Sequence, residues 1–147
     1  MRIATPRAVI NSAYAMQKFS KLNSCSIINF FGEFNIFKKE LIKKELNIIN
    51  YFKSNILKNL PKYGKVASRF SFIAMFILSF FPLKKLISKE KPDYLIIHLI
   101  TSLPLILLLI FNFETKFILR ISGLPKLGFF RKLLWSFALK KVFMITC

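Results

Sequence analysis

Few side chains in this 147-residue chain have the makings of chemistry. His98 is the only histidine, Asp93 the only aspartate, and five glutamates complete the acids. Two cysteines, Cys25 and Cys147, are too few for a disulfide scaffold, and with one histidine they cannot make a four-ligand zinc site. Cys147 falls in an expected strand and Cys25 immediately before one, where a cysteine is a small core residue. No metal and no cofactor is expected. Arg120 is the least expected of the polar residues, because it ends the apolar run Phe117-Ile118-Leu119. A buried cation is expensive unless paired, so Arg120 should meet a carboxylate, with Glu114 and Asp93 the candidates, or a bound anion.

Nucleotide fingerprints are missing. The sequence has no G-x-G-x-x-G and no Gly-x4-Gly-Lys-Ser/Thr, nor a G-x-S-x-G elbow. The 24 basic residues against 6 acidic ones give a net charge of +18. Isoleucine, lysine, phenylalanine and asparagine together make up 66 of the 147 residues, as an A/T-rich coding sequence would produce, and lysine outnumbers arginine 19 to 5. Base reading and bidentate phosphate recognition favour arginine, so nucleic acid is not the expected partner. Solvated lysine faces come first and an anionic membrane surface second. The 54% apolar content excludes a disordered basic tail.

These residues need elements to position them. Tyr94–Phe113 runs without a charge, long enough for one helix to cross a bilayer. Pro104, preceded by Thr101 and Ser102, instead divides the run into a strand and a helix, and the flanking basic residues give no orientation. A small basic integral membrane protein with this span and no enzymatic role is the alternative. Met1–Phe31 carries four cations and no acid, superficially like a transit peptide, but reads as a first helix capped at Asn11 or Ser12 with Tyr14, Met16, Phe19 and Leu22 on its apolar side.

Onward, the pattern predicts strand Ser26–Phe31, helix Phe34–Glu45, strand Asn47–Tyr51 and an irregular connection Phe52–Lys65. A helix capped at Ser68 or Ser71 runs to Phe81, is kinked by Pro82 and continues over Leu83–Glu90. Then follow strand Tyr94–His98, helix Leu103–Asn112, strand Lys116–Ile121, helix Phe129–Ala138 and strand Val142–Cys147. The alternation predicts one α/β domain over residues 1–147, a Rossmann-like parallel sheet flanked by helices. Ligands of such sheets bind beyond the carboxyl ends of the strands. That edge would carry Gly32-Glu33, His98 with Thr101-Ser102, and Arg120 with Ser122-Gly123.

At this edge the motifs resemble a family. Lys91-Pro92-Asp93-Tyr94-Leu95-Ile96-Ile97-His98, followed by Thr101-Ser102-Leu103-Pro104, is similar to the KPDxxxxH strand and following helix of family 4 glycosyltransferases of the GT-B fold. Lys116–Ile121 with Ser122-Gly123-Leu124-Pro125 resembles their next strand and the loop on the acceptor side of the cleft. Lys140–Cys147 resembles the strand before the interdomain linker. The resemblance covers about Ser12 to Cys147. It implies the N-terminal, acceptor-binding half of a retaining enzyme that moves a sugar from a nucleotide sugar to a cell-surface glycan or glycolipid. Arg120, Ser122 and Gly123 would face the acceptor or the donor phosphates, and His98 would support the cleft floor.

Three departures stand out. Ser122-Gly123 replaces the His-Gly of many members. The Gly-Gly turn after the first strand is missing near Pro6–Asn11, and that strand is cut to Arg2–Thr5 at most. The C-terminal domain, which in the family holds the nucleotide sugar and its paired glutamates, is not in these residues. The expectation is a piece of a larger enzyme, inactive alone, cytoplasmic and peripheral on the inner face of the membrane.

Overall fold

The structure is a computed structural model that describes residues 4–20, 24–52, 65–98, 102–121 and 128–146. The chain divides into two compact units, Met1–Ser71 and Phe72–Cys147. It is α/β, with parallel strands in two small sheets flanked by helices.

The first unit starts with helix α1, Ala4–Phe19, followed by β1, Ser26–Asn29. A 3-10 turn, Asn35–Phe37, leads into the short helix α2, Lys38–Lys43, and then to β2, Asn47–Asn50. β1 and β2 pair in parallel, Ser26 opposite Asn47 and Asn29 opposite Asn50. Two strands alone are marginal, so their stability has to come from packing. Ile27 is buried with Ile10 and Ala13 of α1 and with Phe34, Phe37, Leu41 and Leu46 around α2. Lys44 ties α2 to α1, its Nζ donating to Asn11 Oδ1 at 2.7 Å and to Glu40 Oε1 at 2.9 Å.

Several expectations are corrected here. Ala4 and Thr5 are helical, not a residual strand, and Asn11 and Ser12 lie inside α1 instead of capping it. The buried side of α1 is Ile10 and Ala13, with Val9 and Tyr14 beside them, whereas Phe19 is 79% exposed. Helix Phe34–Glu45 is shorter and begins as a 3-10 turn, and both strands stop before the aromatic residues that follow them. Leu22 and residues 53–64 lie outside the described residues.

Helix α3, Lys65–Glu90, starts before the expected caps, so Ser71 is a buried residue inside it, and it runs unbroken through Pro82. From Phe72 onward it belongs to the second unit. There follow β3, Tyr94–His98, α4, Ser102–Ile110, β4, Lys116–Arg120, α5, Phe129–Ala138, and β5, Met144–Thr146. The strands pair in parallel in the order β3-β4-β5. The uncharged run from residue 94 to 113 is therefore shared between a strand and a helix, and no single helix spans it.

Right-handed crossovers between neighbouring parallel strands put both connecting helices on one face of the sheet. α4 and α5 accordingly pack together. Burial alternates along the strands: Ile97, Phe117 and Leu119 are buried, while Ile96, Ile118 and Arg120 between them are only half-buried. Residues of one parity thus share a covered face, and Tyr94, Ile96, His98, Lys116, Ile118, Arg120, Met144 and Thr146 share the more open one. A row of rings, Phe80, Phe111, Phe113 and Phe117, at centroid spacings of 6.3, 6.1 and 5.8 Å, joins α3 to β4. Trp135 is buried on α5, a core residue as expected.

Candidate functional site

Register decides which polar residues meet. His98 ends β3 and Arg120 ends β4, and the two are direct partners across the ladder. Thr146 of β5 is the next partner of Arg120. Adjacent strands lie about 4.8 Å apart, and ladder partners in parallel strands point to one face. An imidazole, a guanidinium and a hydroxyl therefore line up at the carboxyl edge of the sheet, all half-buried. The Ile121 amide donates to Thr146 O at 2.8 Å and holds β4 against β5 beyond the last paired residues.

Burial pushes the His98 imidazole below its ordinary value of 6.5, and the positive charge of Arg120 pushes the same way. At neutral pH, His98 is a neutral ring with one donor and one acceptor beside a permanent cation. Such a pair suits a phosphate or carboxylate, the guanidinium supplying charge and a two-pronged fork and the imidazole one directed hydrogen bond. Arg120 has an interaction of its own in the structure, as a half-buried cation requires. The expected acids lie elsewhere: Glu114 sits 3.5 Å from Lys91, and the Asp93 carbonyl accepts the Lys116 amide at the opposite, amino end of the strands. Ser122, Gly123 and Thr101 lie outside the described residues, while Ser102 opens α4.

The first unit has its own carboxyl edge, and only Gly32-Glu33 was expected there. Asn29 is 2% exposed. Its Nδ2 donates to Asn50 Oδ1 at 2.7 Å and to Asn35 Oδ1 at 3.1 Å, and its Oδ1 accepts the Phe34 amide at 3.4 Å. The Asn29 carbonyl also takes the Tyr51 amide at 3.1 Å. Gly32 turns the chain with φ 80°, a conformation that favours glycine, and Glu33 Oε2 accepts the Phe31 amide at 3.0 Å. Burial raises the Glu33 carboxyl above its ordinary value, although the two backbone amides that bond it pull it back. The asparagine cluster was missed by sequence reasoning. Its signal is the repeated Ile-Ile-Asn ending of Ser26–Asn29 and Asn47–Asn50.

Among the described residues, no group of three or more His, Cys, Asp or Glu side chains converges to hold a metal. Cys25 is half-buried and its thiol is raised by that burial, so it is a poor nucleophile. No family model, no curated protein and no solved structure matches this chain.

Proposed function

We propose that this chain supplies the acceptor-binding half of a retaining GT-B glycosyltransferase that transfers a sugar from a nucleotide sugar to a cell-surface glycan or glycolipid. The observation that carries the reading is the side-by-side placement of His98 and Arg120 at the carboxyl edge of a parallel three-stranded sheet. Open α/β sheets bind ligands at that edge. The resemblance of Lys91–His98 and Lys116–Pro125 to the family's acceptor-side strands supports the same reading.

In this reading Arg120 faces the phosphate or carboxylate of a lipid-linked or acidic acceptor. His98, neutral at physiological pH, bonds an acceptor hydroxyl and shapes the cleft floor. Ser122 and Gly123 take the role that the resemblance implies, contact with the acceptor or with the donor phosphates. The nucleotide sugar is held by a second domain.

The test is titration of the full chain with a polyprenyl-phosphate-linked sugar and, separately, with UDP-glucose, followed by incubation with both. Binding of the phosphorylated acceptor is expected, weakened about tenfold or more by Arg120→Gln through loss of a charge-assisted contact. No sugar transfer is expected from the chain alone. Transfer by the isolated chain, or acceptor binding indifferent to Arg120→Gln, overturns the proposal.

A further inference from the structure

The C-terminal half of helix α3 is packed unevenly. Phe80, Leu83 and Ile87 face the core of the second unit, with Leu83 and Ile87 4% and 2% exposed. The neighbouring stripe of the helix is apolar and uncovered: Ile73, Ile77 and Phe81 are 55%, 62% and 70% exposed. Their spacing of four residues lays them along one stripe. One turn further on, the same stripe becomes cationic. Phe81, Lys84, Lys85, Ser88 and Lys89 line an open depression of about 580 Å³. Lys84 is held at its rim by the Phe111 ring, 4.1 Å from its Nζ.

We propose that this side of α3 docks on an anionic phospholipid bilayer, Ile73, Ile77 and Phe81 entering the acyl boundary and Lys84, Lys85 and Lys89 lying at the lipid phosphates. Charge complementarity selects this occupant. The helix carries Lys65, Arg69, Lys84, Lys85 and Lys89 against the single acid Glu90, in a chain of net charge +18. The buried core of a protein interface is depleted in lysine, whereas an apolar stripe running into lysines is what a membrane boundary accommodates, the ammonium groups reaching out to the headgroups. Arg69–Glu90 is also long and apolar enough to cross a membrane by length and composition. Leu83 and Ile87, locked into the core, oppose that, because crossing would strip them from their packing. This inference stands independently of the sugar-transfer reading.

The test is co-sedimentation of the full chain with phosphatidylcholine vesicles and with vesicles that also contain phosphatidylglycerol. Binding is expected only to the anionic vesicles and is expected to weaken at high salt and reverse in a carbonate wash. The pair Lys85→Gln and Lys89→Gln, at exposed positions that leave the Lys84–Phe111 contact intact, should weaken it about 30-fold. Ile77→Ser with Phe81→Ser should abolish it, and Leu133→Ser on α5 should leave it unchanged, all with the parent's circular dichroism. Equal binding to both vesicles, no binding to either, indifference to the lysine pair, carbonate-resistant insertion, or an equal loss in Leu133→Ser overturns the proposal. So does self-association that Ile77→Ser with Phe81→Ser abolishes in place of lipid binding.

Discussion

At the carboxyl ends of β1 and β2 the strands finish in amides that bond one another, while β3, β4 and β5 finish in an imidazole, a guanidinium and a hydroxyl. Both edges occupy the position where parallel sheets take ligands. The first is closed from within: Asn29 is almost fully buried, and Asn35, Asn50 and the Phe34 amide satisfy its side chain. The second is half-buried and cationic, with a neutral ring beside a fixed charge. A polar edge that satisfies itself is architecture. An edge that gathers a directed donor, a directed acceptor and a guanidinium on one open face has chemistry to offer a ligand.

The largest effect should come from the support under the second edge. Phe117, 1% exposed, precedes Arg120 by three residues and ends the ring row from α3. Phe117→Ala should cost about 3–5 kcal/mol, read as a fall in the urea midpoint, because a large cavity opens beneath β4. A loss below about 1 kcal/mol would mean that β4 is not the central strand of a packed sheet.

Next in size is the contrast between the two edges. Asn29→Ala removes two donated bonds and one accepted bond from a buried site and should cost about 2 kcal/mol. Arg120→Gln, at a half-buried position, should cost no more than about 1 kcal/mol while impairing acceptor binding. Urea denaturation of both variants checks this, and a reversed order would make the first edge the functional one.

The edges should also respond to pH with opposite slopes. His98 has a lowered folded value, so on acidification the unfolded chain takes up its proton first. The stability linked to His98 is complete above about 6.5, declines as pH falls through that value, and levels off below the folded value. Glu33 has a raised folded value, so its contribution is complete below about 4.5 and declines as pH rises through it. Thermal melts should therefore lose their decline below neutrality in His98→Gln. In Glu33→Gln they should lose their decline above the ordinary carboxylate range. A slope unchanged by either variant would detach that residue from its edge.

Much of the second unit was legible in the sequence, and the reason is local. Tyr94–His98 and Phe129–Ala138 are bounded by strong punctuation, Lys91-Pro92-Asp93 before one and Gly128 before the other, and both occur with the expected bounds. Caps were read less well. Asn11 and Ser12 favour N-caps, but burying Ile10 and Ala13 requires α1 to continue through them. The continuation of α3 past Pro82 to Glu90 was read correctly, and the packing of Leu83 and Ile87 carries it there. Of the site, His98 and Arg120 were each visible as odd polar residues closing apolar runs. Their adjacency was not, because it depends on a ladder register linking residues 22 positions apart. The two asparagines of the first edge were hidden for the same reason, being 21 apart.

The smallest expected effect compares how helices end in the two units. α2 closes in a Schellman arrangement, Leu46 N donating to Leu41 O at 3.1 Å and Glu45 N to Ile42 O at 3.0 Å, with Glu45 at φ 52°. α3 closes with the simpler single bond, Lys91 N to Ile87 O at 3.0 Å, with Lys91 at φ 40°. Left-handed backbone costs a side-chain-bearing residue about 1–2 kcal/mol, and glycine avoids this at an entropic cost of about 0.5–1 kcal/mol. Glu45→Gly should therefore stabilise the protein by about 0.5–1 kcal/mol, a small rise in thermal midpoint. Lys91→Gly relieves a similar strain but breaks the exposed pair with Glu114, so its gain should be smaller. Adding Glu114→Gln to both variants removes that difference, and the two glycine substitutions should then be alike. If they are not, the remainder belongs to Pro92, which presses the residue before it toward extended backbone and makes the turn after α3 the more strained of the two.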